Sequence, residues 1–81
     1  MHIKGNEMPG FLVIYNRKSR DWSVQEFAGA EGHKAALLRR LELEHDRTDD
    51  DIEIASLNSD SLATVKKTHS RYFEGAEKVL V

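Results

Sequence analysis

The run Phe11-Leu12-Val13-Ile14-Tyr15 limits most strongly what this chain can fold into. Successive side chains of a β-strand point to opposite faces of a sheet, and every residue of this run is aliphatic or aromatic. Such residues favour strands, and Pro9-Gly10 in front of the run indicates where the strand begins. The fold must therefore cover this strand on both faces, and it has only 81 residues with which to do so.

Local patterns predict a hairpin and a helix after this strand. The polar segment 16–21 is typical of a turn, and the alternation over residues 22–27 indicates a second, half-buried strand. Residues 30–45 are rich in good helix formers. One apolar stripe of this helix is expected to face the core: Leu37, Leu38, Leu41 and His45. Leu43 lies about 200° around the helix from Leu41, so we expect it to point away from that stripe.

The remaining sequence predicts one more strand and one more helix. Residues 52–57 read as a strand with Ile52 and Ile54 on one face. The polar residues 58–60 offer N-cap oxygens for a helix over residues 61–73. The apolar positions of that helix recur at helical spacing: Leu62, Val65, His69 and Tyr72.

These elements predict a single small α+β domain with the order β-β-α-β-α. The most apolar strand is expected in the centre, which gives the strand order 2-1-3, and a right-handed crossover makes the third strand parallel to the second. We therefore expect a three-stranded mixed sheet with two helices on one face, or, as the alternative, a third strand placed beside the second. Residues 1–10 are predicted to be a loose N-terminal lead-in, 11–75 the α+β domain, and 76–81 a C-terminal tail that frays, pairs as a short strand, or packs on the sheet or a partner.

Two helices on one face would leave the other face of the sheet open. The residues expected there form an apolar cluster: Phe11, Val13, Tyr15, Phe27 and Leu57. Soluble monomers rarely expose more than roughly a few hundred Å² of contiguous apolar surface. We therefore interpret the cluster as an interface for self-association or for a protein partner. The alternative is that residues 79–81 or 1–9 fold back over it.

The charges are unevenly distributed along a chain whose net charge is only −2. Residues 42–53 contain seven acids and a single base, Arg47. This acidic block crowds the end of the first helix, where the helix dipole favours cations. Either it is a solvated surface, or it orients a partner by meeting a basic patch. The near-neutral total argues against a strongly basic protein that coats DNA.

Candidate chemistry is sparse. Cysteine is absent, which excludes disulfides and thiolate nucleophiles. The acids of residues 49–53 do not fit the spacing of a calcium-binding loop, and no histidine pair has zinc-site spacing. We predict no metal and no cofactor. His69 is the one candidate acid or base, and a histidine partnered in the core or an interface explains it better than catalysis.

The sequence therefore predicts a small protein-interaction or regulatory module without catalytic activity. We expect it to be cytoplasmic, because no apolar run is long enough for a membrane helix. We also expect it to be homodimeric, through the open sheet face or a strand edge. Another protein is the alternative partner. The alternative function is an RNA-binding or ribosome-associated regulator that uses basic residues of the hairpin tip and second helix: Arg17, Lys18, Arg20, Lys66, Lys67 and Arg71.

Overall fold

A computed structural model describes residues 8–78 of the chain. It contains three strands, β1 (Gly10–Asn16), β2 (Trp22–Phe27) and β3 (Ile52–Asn58). Helix α1 (Gly32–Asp46) connects β2 to β3, and helix α2 (Leu62–Thr68) is followed by a 3₁₀ helix (Ser70–Phe73). The predicted α+β class and element order are confirmed. Of the predicted lead-in the structure describes residues 8–10, and of the predicted tail residues 76–78. The segment 79–81 and most of the segment 1–9, both proposed to fold back, lie outside the described residues.

The sheet has the predicted strand order 2-1-3. Tyr15 lies opposite Trp22 in β2, and Ile14 lies opposite Ile54 in β3. β3 runs in the same direction as β2, as the crossover predicts, but the two strands are not neighbours. Both neighbouring pairs are antiparallel, so the sheet is antiparallel throughout and the description of it as mixed is wrong.

The two helical layers lie on opposite faces of the sheet, which corrects the prediction that both occupy one face. On one face, Val13, Tyr15 and Trp22 form a buried cluster with Tyr72 of the 3₁₀ helix. On the other, Gly10 is in close contact with α1, and α1 contacts all three strands. The physical reason is the composition of β1. A strand that is apolar on both faces is buried best when each face receives its own helical layer.

Helix α1 packs on the sheet through small residues. A Cβ atom added to Gly10 would lie 2.5 Å from the Gly32 carbonyl oxygen and 2.9 Å from the Ala36 Cβ, so helix and strand backbones are nearly in contact. The Phe27 carbonyl group occupies the position where a side chain on Gly32 would begin. Gly32 and Ala36 are the buried residues of the helix. This close approach determines which side of α1 faces the sheet.

The second helical segment is shorter than predicted. Its N-cap is Ser61, whose side-chain oxygen accepts from the Thr64 backbone N–H at 3.1 Å. The α-helical hydrogen bonding ends at Thr68, and His69 leaves helical geometry before the 3₁₀ helix begins. This change of helix type carries Tyr72 and Phe73 onto the sheet, where the rings of Tyr15 and Tyr72 meet edge to face at 5.5 Å.

The chain after the 3₁₀ helix returns to the outer edge of β2. The Trp22 indole donates to the Gly75 carbonyl at 3.0 Å. The Trp22 backbone N–H donates to the Ala76 carbonyl oxygen at 2.9 Å. The Trp22 carbonyl oxygen accepts from the Lys78 backbone N–H at 2.6 Å. The described part of the tail therefore pairs as a parallel bridge with one end of β2.

Candidate functional site

Among residues 8–78, four large apolar side chains are exposed, and all of them except Met8 lie on α1. Leu37, Leu38 and Leu41 are 37%, 56% and 53% exposed. At 100° per residue these three side chains share about 100° of helix arc. We call them the leucine stripe. Lys34 and His45 lie in the same arc, one near each end of the helix.

The leucine stripe points away from the sheet, which reverses the sequence prediction that these leucines face the core. The middle of the stripe lies about 190° around the helix from Gly32, Ala36 and Leu43. Leu43, expected to point outward, is half-buried and lies beside Ile14 and Ile52. The reason is steric, since leucines at the contact would hold α1 away from Gly10.

Charge is ordered along α1 from one end to the other. Lys34, Arg39 and Arg40 precede Leu41 with no acid among residues 32–40. The acids that follow in the helix have no lysine or arginine among them: Glu42, Glu44 and Asp46. Two ion pairs link the halves along the surface, Arg39 to Glu42 and Arg40 to Glu44, the second at 3.4 Å. Both pairs are exposed, so each contributes little to stability.

The residues predicted to form an open interface are covered within the chain. Phe11 and Val13 are completely buried, and Tyr15 is nearly so. Leu57 packs against the same cluster, under the α2 side of the sheet. Phe27 lies opposite Gly10 in the register, which places it on the α1 face with none of the others. The open-face hypothesis is wrong in its premise, because α2 and the 3₁₀ helix cover this face.

An apolar cleft lies on the α1 face, between the end of α1 and the sheet. It has a volume of about 280 Å³, and its apolar wall consists of Ile14, Leu43, Ile52 and Ile54. The loop after α1 closes one side with Arg47, Thr48 and Asp49. A smaller cleft of about 90 Å³ continues past Ile14 toward Trp22 and Lys78. Both clefts are open to solvent.

The basic residues of the RNA hypothesis lie on the side of the molecule that α2 covers, and their arginines are held by acids. Arg17 and Arg71 contact Glu53 at 3.4 and 2.8 Å, and Arg20 contacts Glu74 at 2.6 Å. The Lys66 ammonium group lies 5.3 Å from the centre of the Trp22 ring. Lys18 and Lys67 are exposed.

The aromatic rings that RNA bases would stack on are largely unavailable. Tyr15, Trp22 and Tyr72 are buried in the core cluster, and Phe73 is half-buried against Trp22. Base stacking on a protein requires an exposed ring face. The surface therefore offers charge to a nucleic acid without a stacking platform.

Glu53 is the centre of the polar contacts on this side. The Tyr72 hydroxyl donates to its carboxylate at 2.5 Å and Arg71 donates at 2.8 Å. The hydrogen bond from Tyr72, helped by Arg71 and Arg17 and opposed by partial burial, lowers the pKa of Glu53. Burial, followed by this hydrogen bond, raises the pKa of Tyr72.

His69 lies between the two helical segments as an exposed residue, so the core position that was one of its two expected environments is wrong, and its place in an interface stays a prediction. Its ring is 6.4 Å from that of Tyr72, and neither cleft described above includes it. Within residues 8–78 no group of three acids or histidines could hold a metal ion. Over the same residues no helix is both long and apolar enough to cross a membrane.

The sequence places Leu37, Leu38 and Leu41 together on one side of α1, as the structure does. The prediction that this side faces the core is wrong, because it faces solvent. The missed signal was the spacing of Gly32 and Ala36, four residues apart, which is the smallest-residue side of α1. Comparison with protein-family models, with curated proteins and with solved structures found no match.

Proposed function

We propose that this chain is a small, non-catalytic protein-interaction module that forms a homodimer through the leucine stripe of α1. The observation that carries the proposal is the exposure of Leu37, Leu38 and Leu41 on one helix face. Single exposed leucines are ordinary, but three on one arc form a continuous apolar strip of the kind that helix-binding surfaces use. The proposal replaces the sheet face expected from sequence with the outer side of α1.

The energy of such a contact sets the expected affinity. Burying a leucine side chain contributes about 1.5–3 kcal/mol, so six leucines that start about half exposed contribute roughly 5–9 kcal/mol across a two-fold interface. Association costs about 4–15 kcal/mol in lost freedom. The most favourable combination of these ranges leaves about 5 kcal/mol, so the leucines alone support at most a weak dimer whose formation depends on concentration.

Static light scattering over a concentration series tests the proposal. We expect the mass of the wild-type chain to rise from monomer toward dimer by about 1 mM, the concentration at which a binding free energy of −4.1 kcal/mol gives half occupancy. Leu38→Glu places a charge in the middle of the leucine stripe and should keep the chain monomeric. Circular dichroism of the variant confirms that it folds.

Ala63→Glu is the matched control, because it adds the same charge at an exposed position of α2. It should dimerise like the wild type. A wild-type chain that stays monomeric at the highest concentration contradicts the proposal. Equal dimerisation of wild type and Leu38→Glu contradicts it as well.

The RNA-binding alternative has weaker support. Its arginines already contact Glu53 and Glu74, and the rings near them are buried. Phosphate contacts would have to compete with those carboxylates. A cytoplasmic location stays a prediction from the sequence.

A further inference from the structure

We propose that the occupant of the leucine stripe is the same stripe of a second copy, with the two α1 helices antiparallel about a two-fold axis between Leu38 and Leu41. The inference rests on the proposed dimer and specifies its geometry. It follows from the order of charges along the helix and from the position of the leucines within it.

The charge order favours this orientation over a parallel one. In an antiparallel pair with this axis, Lys34 lies level with the partner's Glu44 and Asp46, whereas Arg39 and Arg40 lie near the axis. In a parallel pair each half of α1 would lie beside the half of the partner helix that carries the same sign of charge. Opposite potentials across an interface determine its orientation, and like charges placed side by side oppose it.

The leucines are centred for such a pair. Lys34, Leu38, Leu41 and His45 follow the four-three-four spacing of residues that form a seam between two helices. A two-fold axis midway between these two leucines places Leu38 against the partner's Leu41 and Leu41 against the partner's Leu38. The same axis places Lys34 against the partner's His45. Every contact then occurs twice, so the interface closes on itself.

The main competing arrangement places the leucine stripe of one copy in the apolar cleft of the next. The cleft beside Leu43 and Ile52 is open, and its apolar wall would accept leucine side chains. Such a contact is heterologous, and successive copies would form rings or open chains instead of stopping at two. The charge order along α1 has no role in that arrangement.

Disulfide cross-linking tests the geometry directly, because the chain contains no cysteine of its own. Lys34→Cys and His45→Cys are made separately, mixed in equal amounts and oxidised. We expect cross-links that join residue 34 of one copy to residue 45 of the other. Each variant alone should give few cross-links, since the same residue of the two copies lies about 16 Å apart along the antiparallel pair. A disulfide spans only about 4.4–6.8 Å between Cα atoms.

Charge reversal provides a second measurement that does not depend on cysteine. One variant combines Lys34→Glu, Arg39→Glu and Arg40→Glu, and the other combines Glu42→Lys, Glu44→Lys and Asp46→Lys. Each alone should dimerise about tenfold or more weakly than the wild type. A variant that combines all six changes should form a dimer with itself again, and it should pair poorly with the wild type, because an antiparallel mixed pair would place like charges side by side. Circular dichroism checks that all three remain helical.

The outcomes separate the geometry from the proposed function. A dimer that cross-links only residue 34 to 34 and 45 to 45, or that gives no cross-link, overturns the antiparallel arrangement and leaves the proposed dimer in place. A molecular mass that rises above that of two copies overturns the antiparallel arrangement and favours the one in which the leucine stripe binds the cleft of the next copy. A six-fold charge variant that pairs with the wild type better than with itself overturns the antiparallel arrangement too. A wild-type chain that remains monomeric overturns both proposals.

Discussion

Glu53 links three segments of the fold through one carboxylate. It belongs to β3, and it accepts hydrogen bonds from Tyr72 of the 3₁₀ helix and from Arg17 of the hairpin tip. The carboxylate is only about one-quarter exposed, so water replaces these donors poorly if they are lost. This single residue therefore helps to hold the 3₁₀ helix on the sheet.

Replacing Glu53 should make stability less dependent on pH. The contacts lower its pKa below the ordinary value of 4.5, so its contribution is present above that pH and is lost as pH falls through the lowered pKa. We expect Glu53→Gln to cost about 1–3 kcal/mol near neutral pH and less below pH 4. Urea denaturation between pH 3 and pH 7 measures this difference.

Glu74→Gln is the control for this comparison. It removes an exposed ion pair with Arg20, for which a cost of about 0–1 kcal/mol is expected. A gap between Glu53→Gln and the wild type that stays constant down to pH 3 would contradict the argument from the pKa.

At the scale of elements, the sequence predicted the strands well and the packing of α1 poorly. The strand run 11–15 and the alternation over 22–27 each reflect a local period, and both strands are present. Which side of α1 faces the sheet depends on a contact between residues 10 and 32, distant in sequence. Hydrophobicity assigns leucines to the core, whereas close backbone approach requires glycine and alanine there.

Gly32→Ala tests this packing because two effects predict opposite signs. Inside a helix alanine is favoured over glycine by about 1 kcal/mol, and by less at the first helical residue that Gly32 occupies, so propensity alone predicts a slightly more stable protein. The new Cβ would collide with the Phe27 carbonyl, and overpacking of this kind costs about 1–3 kcal/mol. We expect net destabilisation in thermal or urea unfolding. A gain in stability would show that α1 is not held this closely against the sheet.

At the scale of the molecule, the short chain uses each helical layer for one face of the sheet. The expectation that one face stays open assumed that both helices pack together. Covering β1 on both sides instead leaves each helix with a single layer to pack against and an outer side in solvent. For α2 that outer side carries Ala63 and Lys67, but for α1 it carries leucines. The unsatisfied apolar surface thus belongs to the helix rather than to the sheet.

This placement predicts that thermal stability depends on protein concentration. A dimer that forms only from folded chains stabilises them by mass action, by about 1 kcal/mol when the total concentration rises to ten times the dissociation constant and roughly four-fifths of the chains are dimeric. For a domain of this size that corresponds to a rise in Tm of about 4–8 °C. Leu38→Glu should lose the dependence, whereas Ala63→Glu should keep it. Differential scanning calorimetry at low and high concentration measures the effect, and a wild-type Tm that does not change with concentration would show that the leucine stripe does not associate in the folded state.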